Sequence, residues 1–252
     1  MILDDNENMK LGPVILLLGA AFAAVPAGAV SARPVKSHCR AGVLHPVGTA
    51  KSSFAGIVKS RAQVYRKSGH EPLAHFRKLN QNGYPTTFSI VGAIVSRSCG
   101  ASWYRVKLPM RPNGIVGYVR PADVFVQTVT TRIVVDVSAR ELTLYRAGKR
   151  VLSTPVAVGS PSTPTPIGRF YVNQRILPTN PNGPYGPAAL GVSAFSNVLT
   201  GWTQGGPIGI HGTNEPWSIG RAISNGCIRV PNATLNRVFA ATLGGTPVII
   251  HP

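Results

Sequence analysis

The sequence predicts a mainly β protein, and three observations support that prediction. Charged residues make up only 13% of the 252 residues, whereas Gly (27) and Pro (22) are abundant. This composition is typical of a protein with many strands and turns rather than a helical bundle. Short apolar runs separated by turn residues recur from residue 54 onwards, and residues 103–108 alternate in polarity with the period of a half-buried strand. We therefore expect a small β-barrel followed by a second β-rich domain with one or two short helices.

The first β-rich domain is predicted over residues 51–128. Its clearest strands are Thr87–Val95, Ser102–Leu108 and Ile115–Val119, with breaks at Gly100 and at residues 112–114. Asn113-Gly114 is a typical tight hairpin turn. The segment Ser102-Trp103-Tyr104-Arg105-Val106, followed by Gly117-Tyr118-Val119, resembles the end of a bacterial SH3-like module. That resemblance covers only a short part of the domain.

The second β-rich domain is predicted over residues 131–252. Strands are expected at six places: Ile133–Val137, Glu141–Tyr145, Val151–Val158, Arg169–Val172, Pro207–His211 and Val248–Ile250. Residues 176–187 contain four prolines and two glycines, so they predict a long ordered loop, and such loops are often functional. Asn232 can cap a helix with apolar positions at helical spacing, Leu235, Val238, Phe239 and Leu243, which Gly244-Gly245 would end.

The N-terminus resembles a cleavable secretory signal. Met9-Lys10 precedes the apolar run Leu11–Ala24, and small residues follow to Ala29. The run is shorter than the roughly 20 apolar residues that cross a bilayer, so we expect residues 1–29 to be removed, with no membrane span remaining. An uncleaved anchor and a start at Met9 are open alternatives. Residues 30–50 predict a linker, and the expected location is secreted, in the periplasm or cell wall.

The net charge of +18 restricts the partners. Basic residues are spread over both halves without a dense block interleaved with aromatic residues, so nucleic acid is not an expected partner. A diffuse positive field suits attraction to an anionic cell-wall polymer. Enhanced solubility alone is the alternative explanation.

The three cysteines divide into two groups. Cys39 and Cys99 can form a disulfide in an oxidising compartment, and closing a loop of about 60 residues would stabilise the fold by roughly 4 kcal/mol. Sequence alone does not show that the two approach each other. Their pairing leaves Cys227 as a free thiol.

Cys227 lies in the run Ser224-Asn225-Gly226-Cys227-Ile228-Arg229, 16 positions after His211. An imidazole beside a thiol either takes its proton or holds the thiolate as an ion pair, and both produce a nucleophile that attacks acyl carbons. The amides of Gly226 and Cys227 can face an oxyanion. Arg229 can bind a substrate carboxylate or help to stabilise the oxyanion. Glu215, Asp136 or a backbone carbonyl can orient His211. The alternative is a buried, inert cysteine and a structural histidine.

Several motifs in order resemble the L,D-transpeptidase (YkuD-type) catalytic domain over about residues 131–251. They are Ile210-His211-Gly212-Thr213, the run 224–229, Val158-Gly159 with the segment 163–168, and the substrate-side loop Pro184-Tyr185-Gly186-Pro187-Ala188-Ala189-Leu190. This resemblance implies a β-sandwich catalytic domain. Most members have histidine where this chain has Asn225, so an acid–base role at that position is not expected.

The resemblance implies a reaction on peptidoglycan stem peptides. Cys227 would attack the carbonyl of the third stem residue and expel the terminal D-alanine, with His211 as general base and the Gly212 carbonyl orienting its ring. The thioester would pass to the side-chain amine of a neighbouring stem and cross-link two third-position residues. Asn225, Ser224, Gly226, Arg229 and Tyr185 would form the substrate and oxyanion site, no metal or cofactor is expected, and carbapenems would acylate the cysteine.

The sequence also leaves other functions open. Transfer to water would make the protein an L,D-carboxypeptidase, and loss of catalysis would leave a secreted SH3-like wall-binding protein. A sortase-like enzyme has its arginine far downstream of the cysteine, and a papain-like hydrolase has its cysteine before its histidine, so both fit poorly. We also expect the two domains to act independently.

Overall fold

The structure is a computed structural model that describes residues 39–252. The predicted signal at residues 1–29, the alternative start at Met9 and residues 30–38 of the predicted linker lie outside the described residues. The rest of the predicted linker is described, and it contains a short strand, Leu44–Pro46, rather than an unpaired connection. All of the described residues belong to one compact unit that contains two large sheets.

The first large sheet has eight strands and contains the strands predicted in residues 51–128. Its order is β4-β3-β7-β6-β5-β2-β8, and β1 pairs with β5. The strands are β1 (Leu44–Pro46), β2 (Ser53–Val58), β3 (Arg61–Lys67), β4 (His70–Arg77), β5 (Thr87–Val95), β6 (Ala101–Lys107), β7 (Val116–Val119) and β8 (Val124–Val129). Their alternating apolar residues, among them Val64, Phe88 and Val106, are buried in one core. The SH3-like character of this sheet stays a prediction.

The second large sheet also has eight strands, in the order β11-β10-β9-β18-β13-β14-β15-β17. Only β9–β18 and β15–β17 pair in parallel within it, and a separate parallel pair joins β12 to β16. The elements are β9 (Thr131–Asp136), β10 (Glu141–Arg146), β11 (Lys149–Pro155), β12 (Val158–Gly159), β13 (Gly168–Ile176), β14 (Ala189–Phe195), β15 (Pro207–His211), β16 (Ala222–Ser224), β17 (Ile228–Arg229), α1 (Asn232–Ala241) and β18 (Pro247–His251).

One hydrophobic core lies beneath the second sheet. Inward-facing residues of its strands pack with Leu235 and Val238 of α1, and all are at most 5% exposed. Three short 3-10 turns, Pro121–Asp123, Thr203–Gly205 and Pro216–Ser218, complete the described secondary structure. The mainly β prediction with one or two short helices is therefore confirmed.

The two sheets are joined by side chains of the β6–β7 connection. The guanidinium of Arg111 donates to the carbonyls of Ser196 (2.5 Å) and Gly205 (2.6 Å). Asn113 donates to the Phe195 carbonyl (2.8 Å) and accepts from the Phe195 amide (2.9 Å), as a neighbouring strand would. The first sheet thus holds both ends of the segment 195–206.

Three local predictions differ from the structure. Asn113-Gly114 does not form a two-residue hairpin, because β6 and β7 are separated by residues 108–115 and Asn113 binds the second sheet instead. Asn232 begins α1 but makes no capping hydrogen bond; its side-chain oxygen accepts from the Thr213 amide (2.8 Å). The helix ends at Ala241, so Leu243 lies outside it.

Candidate active site

Parallel pairing of β15 with β17 brings Cys227 beside His211. Ile210 pairs with Ile228 and His211 with Arg229, so Cys227 enters β17 next to Gly209. The Gly209 amide lies 3.4 Å from the Cys227 sulfur, which it approaches as a donor. Since residues two apart point to the same face of a strand, Gly209 and His211 face the same side. The sulfur and the imidazole therefore line one groove.

The protonation of His211 follows from its surroundings. The ring is only 5% exposed, and Nδ1 lies 2.6 Å from the Gly212 carbonyl. Because a carbonyl only accepts, Nδ1 carries the hydrogen and Nε2 keeps its lone pair. Burial, together with the nearby positive charge of Arg229, lowers the pKa of His211 to about 4, although the Gly212 hydrogen bond opposes this shift. The ring is thus a neutral base at pH 7.

The Cys227 thiol is also neutral at rest. Burial raises the pKa of Cys227, while the Gly209 amide and the Arg229 charge lower it to a smaller extent. The residue as a whole is only half-buried, so the groove gives it access to solvent. Of the two states that the sequence leaves open, these shifts favour a neutral thiol beside a neutral imidazole over a preformed ion pair.

The loop that carries Cys227 is held by Ser224. The buried Ser224 hydroxyl donates to the Cys227 carbonyl (2.6 Å) and accepts from the Gly226 amide (3.2 Å). Gly226 has φ +104°, and a Cβ there would lie 3.0 Å from the Ile208 side chain. A glycine is therefore required at the tightest point of the turn. The Gly226 amide donates to the Ser224 hydroxyl, and its predicted role toward an oxyanion stays a prediction.

Gly159 and the segment 163–168 hold the same loop from the other side. Thr163 donates to the Ser224 carbonyl (2.8 Å), and the buried Thr165 donates to the Gly226 carbonyl (2.9 Å) while accepting from the Gly159 amide (2.8 Å). A Cβ on Gly159 would lie 2.3 Å from the Thr163 carbonyl oxygen. Two threonine hydroxyls and a close backbone contact thus fix the position of the nucleophile.

The groove around Cys227 has a volume of about 730 Å³. Tyr185, 55% exposed, places its ring edge-on to His211 with the centroids 5.0 Å apart. Trp202, from the segment that the first sheet holds, lines the same groove and is 53% exposed. Two exposed aromatic side chains therefore lie where a substrate would enter.

Arg229 pairs with a carboxylate of the protein. Its guanidinium forms a salt bridge to Glu215, and the Arg229 side chain is the more buried of the two. Glu215 is therefore bound to Arg229 and not to His211, and Asp136 instead accepts hydrogen bonds from Ser138 and Ala139. Of the candidates for orienting His211, the backbone carbonyl is the one in contact. Asn225 is exposed.

Several site residues were absent from the sequence-based prediction. Thr163 and Thr165 were included only as part of a motif, and Asn232 only as a helix cap, whereas all three bind the backbone of the site. Trp202 was not identified at all. A tryptophan within a glycine-rich stretch was the available signal in the sequence, but only the fold shows that it is exposed and lines the groove.

Cys39 and Cys99 form a disulfide, with their Cα atoms 5.6 Å apart. Within residues 39–252 no group of three or more His, Cys, Asp or Glu side chains is arranged to hold a metal ion. In the same range, no helix combines the length and the apolar character needed to cross a bilayer.

Comparison with known proteins gives consistent matches to one family. The family model for the L,D-transpeptidase catalytic domain (YkuD) matches residues 130–250. The YkuD protein of Bacillus licheniformis is 38% identical over 125 residues, which cover 50% of this chain and 68% of that protein. The YkuD protein of Bacillus subtilis is 37% identical over 124 residues, covering 49% and 68%.

Solved structures of L,D-transpeptidases also match. One from Mycobacterium smegmatis is 19% identical with a TM-score of 0.40, and the match covers 60% of this chain and 78% of that one. The catalytic domain from E. faecium is 26% identical with a TM-score of 0.35, and the match covers 48% and 96%. Because a relative more than 30% identical is matched over two thirds of its length, this chain belongs to the L,D-transpeptidase (YkuD-type) catalytic domain family.

Proposed function

We propose that this chain is a secreted, cysteine-dependent L,D-transpeptidase that cross-links peptidoglycan through third-position stem residues in the periplasm or cell wall. The observation that carries the proposal is the β15–β17 register, which sets the Cys227 sulfur against Gly209 beside an imidazole with a free Nε2. That arrangement supplies a nucleophile and a base facing one groove.

The first half-reaction forms a thioester. The Cys227 sulfur attacks the carbonyl carbon of the third stem residue as His211 Nε2 takes the thiol proton. The imidazolium remains bound to the Gly212 carbonyl through Nδ1–H, and the Cys227 amide stabilises the oxyanion. The intermediate then breaks its bond to the terminal D-alanine, whose amine receives the proton from His211.

The second half-reaction transfers the acyl group. A side-chain amine of another stem attacks the thioester carbon, and neutral His211 accepts one of its protons. The carbon–sulfur bond breaks, the thiol recovers its proton, and an amide joins two third-position residues. The exposed rings of Tyr185 and Trp202 at the groove suit an extended acceptor, which favours transfer to a second stem peptide over hydrolysis. With water as acceptor, the same steps give the alternative L,D-carboxypeptidase.

Intact-mass measurement after incubation with a carbapenem tests the nucleophile. We expect one covalent adduct on the wild-type protein, none on Cys227→Ala and strongly slowed formation on His211→Gln. No adduct on the folded wild-type protein, or an adduct that persists in Cys227→Ala, would contradict the proposal. Ser98→Ala, a change on an exposed turn of the first sheet, is a control expected to react like wild type.

Product analysis of stem tetrapeptides by mass spectrometry separates the activities. Cross-linked dimers that lack one D-alanine would support transpeptidation, whereas shortened monomers alone would support the carboxypeptidase. No change of the peptides, together with retained wall binding, would indicate a non-catalytic wall-binding protein.

A further inference from the structure

A second cavity lies between the two large sheets and adjoins the groove of Cys227. It has a volume of about 490 Å³, and we call it the junction cavity. Its wall comes from β4, the β4–β5 connection and β13, with Pro207 at the start of β15. The residues that it shares with the groove of Cys227 are Asn82, Gln174, Gln204 and Pro207. The two spaces are therefore neighbours across a common wall.

The common wall is a cluster of side-chain amides. Gln174 Oε1 accepts from Asn80 (3.2 Å) and from Asn82 (3.0 Å), and Gln204 donates to Asn82 (2.8 Å). Asn80 and Asn82 belong to the first sheet's β4–β5 connection, whereas Gln174 and Gln204 belong to the catalytic domain. These mutual contacts orient donors and acceptors before a ligand arrives, which reduces the entropy lost on binding.

The lining of the junction cavity matches a saccharide better than a peptide side chain or an apolar ligand. Its polar groups are mainly amides and hydroxyls, which both donate and accept as sugar hydroxyl and acetamido groups do. They are Asn80, Gln81, Asn82, Thr86, Thr87, Asn173, Gln174 and Gln204. Leu79, 49% exposed, and Phe76 offer apolar surface to the face of a sugar ring. No Asp or Glu lines this cavity in the described chain, and Arg77 gives it a positive charge.

The distance to the nucleophile fits a stem peptide. Pro207 lines the cavity and lies two residues before Gly209, whose amide contacts the Cys227 sulfur. Because two residues of a strand span roughly 7 Å, the cavity wall at Pro207 lies about that far along β15 from the nucleophile. A chain of three extended residues spans about 10 Å. A stem whose third carbonyl lies at Cys227 therefore has the length to pass along β15 and place its sugar in the junction cavity.

We propose that the junction cavity is a saccharide subsite that binds the amino sugar to which the donor stem peptide is attached. This inference rests on the proposed function, because it assumes that the third stem residue is the one attacked at Cys227. The first sheet then contributes directly to substrate recognition through residues 75–82. Free stem peptides would be processed without this contribution.

The test compares two donors, a free stem tetrapeptide and the same tetrapeptide attached to its amino-sugar disaccharide. We expect kcat/KM to be at least about fivefold higher for the disaccharide-linked donor, the factor that one net hydrogen bond contributes. The double variant Arg77→Ala/Gln81→Ala should lose this preference and keep the wild-type kcat/KM for the free tetrapeptide. Neither residue lines the groove of Cys227. Arg66→Ala is the matched control, an exposed arginine on β3 outside the cavity lining.

Equal kcat/KM for the two donors, or a preference that survives in the double variant, would overturn the proposal. Binding of the peptide-free disaccharide, followed by saturation-transfer NMR, provides a readout independent of catalysis. If the disaccharide binds to wild type and to Cys227→Ala but not to the double variant, the subsite is supported even if neither donor reacts. No binding to wild type contradicts it, whereas carbapenem acylation decides the proposed function separately.

Discussion

At the residue scale, the site combines two groups that are both neutral before the reaction. Burial lowers the pKa of His211 and raises that of Cys227, so each shift moves the pair away from the thiolate–imidazolium state. The Nδ1–H bond to the Gly212 carbonyl keeps Nε2 available as a base and becomes stronger when the ring is charged during attack. The ion pair is thus expected to form during attack rather than at rest, which protects the thiol from oxidation and alkylation.

The pH dependence of acylation follows from the His211 pKa. Its value of about 4 means that the base is unprotonated at pH 5 and above, whereas an ordinary histidine would be half protonated near pH 6.5. We expect the carbapenem acylation rate to stay nearly level from about pH 7 down to about pH 5 and to fall as the pH decreases through about 4. The measurement is adduct formation against pH by intact mass. A half-maximal rate near pH 6.5 would contradict the burial argument.

At the element scale, the nucleophile loop depends on a segment that is distant in sequence. Thr165 is 3% exposed, and its hydroxyl joins the Gly159 amide to the Gly226 carbonyl. Valine has nearly the same shape but no hydroxyl, so Thr165→Val leaves two buried polar groups without their partner. Each such group costs about 1–3 kcal/mol. A displacement of about 1 Å in the loop can reduce the rate roughly a hundredfold.

We therefore expect Thr165→Val to lower the free energy of unfolding by about 2 kcal/mol or more and to slow acylation at least about tenfold. Denaturant unfolding and the second-order acylation rate are the measurements. Thr128→Val, the same change at an exposed position of β8, is the matched control and should behave like wild type. If Thr165→Val and Thr128→Val have the same free energy of unfolding and the same acylation rate, the Thr165 hydrogen bonds do not position the loop.

Local patterns predicted the elements whose apolar residues follow a strand period. Thr87–Val95 and Pro207–His211 occur with the predicted bounds, because each is an apolar run ended by turn residues. The strand β14 was missed, because Gly191 and small residues weaken its pattern and both of its faces are buried. The His–Cys pair was predictable from its motifs. The bonds from Thr163, Thr165 and Asn232 were not, since they join positions that only the folded chain brings together.

At the scale of the whole molecule, the two sheets are more closely connected than independent domains would be. Arg111 and Asn113 of the first sheet bind the backbone at Phe195, Ser196 and Gly205, the two ends of a segment that lines the groove. The sequence predicted that the first domain acts independently of the catalytic domain. The contacts indicate instead that its removal would also release the groove wall that carries Trp202.

Arg111→Ala tests this connection without deleting a domain. The change removes the donors from the carbonyls of Ser196 and Gly205 and the cation over the Phe195 ring, 5.4 Å from its centroid. Hydrogen bonds from a charged donor contribute about 1.5–3 kcal/mol, so the segment 195–206 should open locally. We expect faster proteolytic cleavage within this segment and a kcat/KM for stem peptides at least about tenfold lower, mainly through KM.

Arg120→Ala is the matched control for charge, because Arg120 lies over Trp103 within the first sheet and does not contact the segment. It should leave both the cleavage rate and kcat/KM at wild-type values. Arg111→Lys refines the test, because lysine keeps the charge but lacks the planar guanidinium that reaches two carbonyls. Its cleavage rate and its kcat/KM should therefore lie between those of wild type and those of Arg111→Ala. If Arg111→Ala matches Arg120→Ala in both measurements, the first sheet does not support the groove, and the two domains act independently as the sequence predicted.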